Sequence, residues 1–270
     1  MVKFSAAMCV YGGDNASYFE DSLDSICKQT RLPDEFILVV DGPVPDVIEC
    51  VISKYSNKIN CMHVVRLPEN MGHGVARKTA LSSCKYDHVV FADADDVNVS
   101  TRFEKQIQTF EQDGALSVVG ASCFHFSDSI DNVLNTEIVP ESDEEIKDKL
   151  KTCCPICQPA VAIKKSDVES VGGYQDWYLA EDYYLWLRLY LAGKKFANIK
   201  EPLVYIRTTK EQMSRRGGWK YFYSMRNIYK FMLTNRIIDL KTYAFNLCSR
   251  FVVQVIFPNC LRAFVRKVVQ

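Results

Sequence analysis

No run of apolar residues in this 270-residue chain approaches the ~18 to 20 that a membrane-crossing helix requires. The nearest late candidate, Phe251-Val252-Val253-Gln254-Val255-Ile256-Phe257, is short and bounded by Arg250 and Pro258. A leader-like segment is also missing, because Met1-Val2-Lys3-Phe4-Ser5 runs straight into a strand-like stretch. Internal repeats and low-complexity tracts are absent, which excludes solenoids and disordered linkers. The chain has eleven cysteines, an odd number spread over helix-like and strand-like segments, so a disulfide framework is not expected. They read as reduced thiols of a cytosolic protein. Cys154-Pro155-Ile156-Cys157 has the spacing of a metal or redox pair, but a second pair to complete a four-ligand zinc site is lacking. Net charge is absent too, with 33 bases against 33 acids. The balance is uneven along the chain. From Arg215 onward eleven Lys or Arg face one acid, Asp239, a surplus of +10 that leaves −10 for residues 1–214. Two different surroundings are implied for the two parts.

What the chain does have is a concentration of acid after an apolar run. Val89-Val90-Phe91 leads into Ala92-Asp93-Ala94-Asp95-Asp96. Carboxylates crowded at the end of a buried strand repel one another, and a hard divalent cation with oxygen ligands relieves that repulsion, often together with a substrate's phosphates.

The spacing predicts alternating strands and helices. Strands are expected at 5–10, 36–40, 62–67 and 88–91, with helices at 15–29, 44–55, 72–84 and 101–112. Asn15 or Ser17 is placed to cap the first helix, whose apolar stripe is Phe19, Leu23, Ile26 and Cys27. Further strands are expected at 116–126, 160–163, 196–199 and 203–206, a turn at Gly172-Gly173-Tyr174, an exposed loop and helix at 137–148, and a helix at 181–192. This is the pattern of an α/β protein with a central, mostly parallel sheet flanked by helices. Ligands of such sheets bind beyond the carboxyl ends of the strands, where Tyr11, Asp41 and Asp93 fall.

Taken in order and spacing, the blocks Met8–Asn15, Gln29-Thr30, Pro33-Asp34-Glu35, Val39–Gly42, Asn70-Met71-Gly72, Asp93–Asp96, Arg102–Gln106, Gly172-Gly173-Tyr174, Glu181-Asp182-Tyr183 and Arg215–Gly218 resemble a family 2 glycosyltransferase of the GT-A fold, in particular the bacterial branch that builds surface polysaccharides. The resemblance covers about Phe4 to Asn227. It implies a catalytic domain over 1–214, with a nucleotide-sugar half at 1–115 and an acceptor half at 116–214, and C-terminal amphipathic helices in a basic tail at 215–270.

The resemblance also implies roles. Tyr11 would pack on the nucleotide base and Asp41 would accept hydrogen bonds from it, the base being uracil by family habit. Asn70 to Arg77 would run beside the base, ribose or diphosphate, with Gly72 close to the donor and Arg77 a candidate phosphate contact; Lys78 departs from the family's Asn. Asp93 and Asp95 form a D-x-D, Asp93 reaching ribose or the metal and Asp95 holding Mg²⁺ or Mn²⁺ on the diphosphate. Asp96 is a second candidate ligand, or a helix cap. Asp182 would be the general base of an inverting transfer and Glu181 its neighbour on the acceptor or on Asp182 itself. Arg215 and Arg216 would lie near the diphosphate and acceptor.

The tail residues Phe222, Met225, Tyr229 and Met232 recur at helical spacing among Lys220, Arg226 and Lys230. A basic amphipathic helix on the inner face of the membrane fits that pattern, as does packing on the catalytic domain or on a second copy in a homodimer. The expected partners are a nucleotide-sugar donor, a saccharide or lipid-linked saccharide acceptor and a membrane surface. Nucleic acid is not among them, since the basic tail is interleaved with apolar residues and carries no recognition module. Two other readings are a sugar nucleotidyltransferase, disfavoured because Gly12-Gly13-Asp14 lacks the basic Gly-rich loop of that class, and a catalytically inert nucleotide-binding partner, disfavoured by Asp93, Asp95 and Asp182.

Overall fold

The computed structural model of the protein describes residues 1–209 and 217–257. Its first half follows the expected alternation: β1 (Phe4–Tyr11), α1 (Ala16–Cys27), β2 (Glu35–Asp41), α2 (Asp46–Lys58), β3 (Met62–Leu67), α3 (His73–Ser83) and β4 (His88–Asp93). Then come β5 (Val97–Asn98), α4 (Arg102–Gln112), β6 (Leu116–Phe126), β7 (Val133–Glu137), α5 (Asp143–Lys149), β8 (Ala162–Lys164), α6 (Lys165–Ser170), α7 (Glu181–Leu191) and β9 (Lys195–Arg207). Two helices, α8 (Gly218–Thr234) and α9 (Leu240–Phe251), end in a π-helical turn over Val252–Ile256.

All nine strands join one sheet in the order β3-β2-β1-β4-β8-β6-β9-β5, with β7 added on β6. The β3-β2-β1-β4 part is parallel. Beyond β4 the sheet is mixed, because β8 runs antiparallel to both β4 and β6, while β6 and β9 are parallel. β2 is buried along its whole length, as an apolar strand between two parallel neighbours must be. Asn15 caps α1, its side chain accepting from Ser17 N and Tyr18 N. Phe19, Leu23 and Ile26 then turn inward.

Helices cover both faces. On one, α1, α2 and α4 bury Phe19, Leu23, Ile52, Phe103 and Ile107. On the other, α3, α7 and α8 bury Ala80, Leu185, Trp186, Ile228 and Met232. The α8 stripe expected to face lipid therefore lies elsewhere: Met225, Tyr229 and Met232 are buried in the core shared with α3 and α7, and Phe222 is buried beside Phe251 of α9. Trp219 and Tyr223, each about half exposed, form the outer face instead. The expected boundary between 214 and 215 falls outside the described residues.

Two strands expected at 196–199 and 203–206 are one continuous β9, because both segments pair with β6. The register slips around Ser122, opposite Pro202, where the missing proline N–H would break a regular ladder. β5 and β7 had no readable signal: the first is two residues long, and the second is a largely exposed, polar edge.

Candidate active site

Register brings the acidic residues to one rim. Tyr11 stands opposite Asp41 in the β1–β2 pair, and Cys9 opposite Asp93 in the β1–β4 pair. Asp41 and Asp93 thus flank β1 at the same edge, two inter-strand spacings or roughly 10 Å apart. The thiol of Cys9, partly buried between them, is pushed up to about 12 by desolvation and is inert.

On the β2 side, Asp41 organises a loop. Its Oδ1 accepts from Met71 N at 2.7 Å and its Oδ2 from Gly72 N at 3.0 Å. The loop can sit this close because Gly42 has no Cβ: one built there would lie 2.6 Å from Asn70 N, and its φ of +84° is left-handed. Gly72 opens α3 directly after the loop. The Tyr11 ring folds back over Gly13, where a Cβ would be 2.6 Å from the ring, and meets the His73 ring at 6.4 Å. Tyr11, Asp41 and Gly72 are therefore brought together, with Asp41 already holding two loop amides.

On the β4 side the centre is Arg77. Its Nη1 donates to Glu181 Oε1 at 2.8 Å, and its Nη2 to Asp93 Oδ1 and Oδ2 at 3.3 and 3.4 Å. Expected as a phosphate contact, this side chain is buried and joins two carboxylates. Burial works against its charge, but Asp93 and Glu181 outweigh that and hold it firmly protonated. Glu181 and Asp182 open α7, and the Tyr183 N–H donates to Asp182 Oδ1 at 2.7 Å. Behind them Tyr174 packs edge-on against Phe91 at 5.7 Å and donates to Gln158 Oε1. Arg188 of α7 donates to Val171 O and Gly173 O, which ties the helix to the Gly172-Gly173 turn.

The Asp95-Asp96 end is locked from the second half of the chain. Asp96 is buried and accepts from Arg207 N at 2.8 Å, so it neither caps a helix nor is offered outward. Burial, then the Asp95 and Asp93 charges, push its carboxyl well above the usual range. Arg207 donates through Nε to Asp95 O and through Nη2 to Asp21, and its guanidinium lies 3.7 Å from the Tyr18 ring centroid. The sequence reading missed Arg207; the late basic residue at a strand end was its one signal. It also missed Asp14, whose Oδ2 accepts from Tyr11 N at 3.0 Å. Burial, and then Asp95 and Asp93, raise Asp14 to about 7 against the pull of that amide. Arg215 and Arg216 lie outside the described residues.

A metal fits this donor set. Asp93 and Asp95 offer hard oxygens, and Asp14 and Asp96 beside them are carboxyls raised first by burial and then by the Asp95 and Asp93 charges. Among the described residues no three His, Cys, Asp or Glu side chains form a closed cage. Mg²⁺ or Mn²⁺ held by one or two carboxylates plus phosphates needs none. The C-x-x-C thiols do other things: Cys154 donates to Ile156 O, and Cys157 is hydrogen-bonded with Cys123.

The architecture is that of the GT-A glycosyltransferase fold. The chain belongs to glycosyl transferase family 2, whose model matches residues 5–171. It is 34% identical over 268 residues to the UDP-Gal:alpha-D-GlcNAc-diphosphoundecaprenol beta-1,3-galactosyltransferase of Escherichia coli, covering 98% of this chain and 95% of that one. It is 31% identical to the amylovoran biosynthesis glycosyltransferase AmsE of Erwinia amylovora, over 85% of each. Among solved structures it superimposes on S. aureus TarS 1-349 in complex with UDP with a TM-score of 0.67 at 19% identity, covering 96% of this chain and 73% of TarS. The expected GT-A fold and family are borne out.

Proposed function

We propose that the protein is an inverting, metal-assisted glycosyltransferase of surface polysaccharide assembly, moving a sugar from a UDP-linked donor to a lipid-linked saccharide at the inner face of the membrane. The observation that carries this is the Arg77 bridge. It ties Asp93, at the end of β4, to Glu181, at the start of α7, and Asp182 is the next residue of that helix. The family relationship, the named donor and acceptor of the E. coli relative and the UDP complex of TarS support the choice of substrates.

Tyr11 and the loop held by Asp41 receive the base and ribose. Asp93 and Asp95 would hold Mg²⁺ or Mn²⁺, which, when bound, neutralises charge on the leaving diphosphate. Asp182 accepts the proton of the acceptor hydroxyl as its oxygen bonds to the anomeric carbon and the bond from that carbon to the UDP oxygen breaks. Attack from the face opposite the diphosphate inverts the centre. Glu181, pinned by Arg77, keeps the first turn of α7 in place. No helix among the described residues is long and apolar enough to cross a membrane, so contact with lipid would be peripheral.

The test is UDP release from a panel of UDP-sugars with Mn²⁺, with and without a prenyl-diphosphate-linked saccharide. Acceptor-dependent release from one donor, abolished by EDTA, is expected. Release of pyrophosphate from a nucleoside triphosphate instead would replace this reading with that of a nucleotidyltransferase.

A further inference from the structure

An open cavity of about 330 Å³ lies between the Trp177-Tyr178 loop and the outer face of α8. Trp177, Tyr178, Lys220, Tyr223, Ser224 and Asn227 line it. None of the residues assigned above to donor, metal or base is among them.

The cavity is held open by specific contacts. Trp177 leans on the Tyr184 ring of α7 at 4.3 Å, and its Nε1 reaches Ser224 O at 3.4 Å. Ser224 Oγ donates to Tyr178 O at 2.7 Å. The loop then turns sharply through Leu179, at φ 53°, and the Ala180 N–H closes back onto Trp177 O at 3.3 Å. Left-handed backbone at a leucine persists only where its surroundings impose it. The next residues are Glu181 and Asp182, so the cavity wall leads directly to the base. On its other side the loop touches the donor half, since a Cβ on Gly74 would be 3.4 Å from Asp176 Cα.

Its chemistry is uneven in a useful way. Aromatic faces at Trp177 and Tyr178 suit the C–H face of a pyranose. Lys220 Nζ stands 4.0 Å from the Tyr178 ring centroid, and among the described residues no carboxylate pairs with it. An ammonium beside an aromatic wall is complementary to a phosphate. Outward from Tyr223 runs an aromatic ridge: Trp219 stacks on Tyr223 at 5.8 Å and meets Phe251 at 5.9 Å, and Phe222 meets Phe251 at 5.6 Å. Trp219 is 53% exposed, and Phe251 and Val252 are exposed beside it. The helices carrying this ridge hold five bases, Lys220, Arg226, Lys230, Lys241 and Arg250, and no acid.

We infer that this cavity is the acceptor site, and that its occupant is a prenyl-diphosphate-linked saccharide. The sugar lies on Trp177 and Tyr178, a phosphate meets Lys220, and the start of the prenyl chain follows the Trp219–Phe251 ridge towards the bilayer. This rests on the transferase reading for what the acceptor is, but the pocket has its own test.

The experiment titrates farnesyl diphosphate and, separately, inorganic diphosphate into the full chain, reading tryptophan emission. UDP with Mn²⁺ is titrated in parallel. Saturable farnesyl diphosphate binding is expected, weakened at least tenfold in Lys220→Ala, restored in part by Lys220→Arg, and weakened tenfold in Trp219→Ala. Both positions, 219 and 220, lie on the surface of α8, and matched melting temperatures check folding. Inorganic diphosphate is expected to bind at least tenfold more weakly than the farnesyl compound. Absence of farnesyl diphosphate binding, equal affinity in wild type and Lys220→Ala, or equal affinity for the two diphosphates would each overturn the assignment. Lys220-dependent binding without any binding of UDP would instead uphold the pocket and sink the donor reading.

Discussion

Arg77 Nη1 meets Glu181 Oε1 at 2.8 Å across 104 positions of sequence, and the same guanidinium reaches Asp93. Three charges from α3, β4 and α7 thus meet around one buried guanidinium, the two carboxylates being part-buried. Removing the cation strands two carboxylates, and breaking a buried pair in this way costs about 3–5 kcal/mol. Arg77→Met is expected to lose that much in urea unfolding, and Arg77→Met with Glu181→Gln to recover part of it. Additive losses in the double variant would mean the pair is not coupled.

Much of the first half was legible because its signals are local. Continuous apolar strands, the Asn15 cap and the acids that close β2 and β4 each occupy a few adjacent residues. What stayed hidden depends on distant partners. The Gln29-Thr30 and Arg102–Gln106 blocks read as family signatures, yet they stitch the fold. Gln29 bonds Val99 O and Phe103 N. Arg102, wholly buried, bonds Phe91 O, Asn98 and Gln106, and Gln106 bonds Val119 O and Ala160 O. Helical spacing in α8 showed an apolar stripe but not what covers it, since lipid and a protein core select the same residues.

With Asp182 as the proposed base, its loss should affect chemistry more than donor binding. Asp182→Asn keeps an oxygen for the Tyr183 N–H but cannot take a proton. Transfer is expected to fall by roughly 10²–10⁴. The dissociation constant for UDP with Mn²⁺, measured by calorimetry, should stay within about twofold, far less than the ~1.4 kcal/mol of a tenfold change. Full activity in Asp182→Asn would remove it as the base.

The Asp41 loop predicts a split between affinity and turnover. Gly42→Ala adds a Cβ 2.6 Å from Asn70 N at a left-handed φ, which costs at least ~1 kcal/mol and displaces the loop that Asp41 holds. The donor KM should rise about tenfold or more, with kcat less affected, if the loop receives the nucleotide as proposed. A fall in kcat at constant KM would place the loop near the reacting atoms instead.

Asp14 gives the site a pH dependence whose sign can be stated. Its carboxyl goes from 3.8 in the unfolded chain to about 7 in the fold, driven by burial and by Asp95 and Asp93. The unfolded state therefore ionises first, and folding loses stability as pH rises from about 4 to about 7, on the order of a few kcal/mol at ~1.4 kcal/mol per unit. Asp14→Asn retains the Tyr11 contact without the charge. In EDTA, its stability advantage over wild type should be near zero at pH 4, grow towards pH 7 and then level off, as followed by urea unfolding at each pH. Mn²⁺ should shrink the advantage above pH 7, because a cation near Asp93 and Asp95 favours the ionised carboxylate that the variant lacks. A difference that is flat with pH would show that the fold does not raise the Asp14 carboxyl.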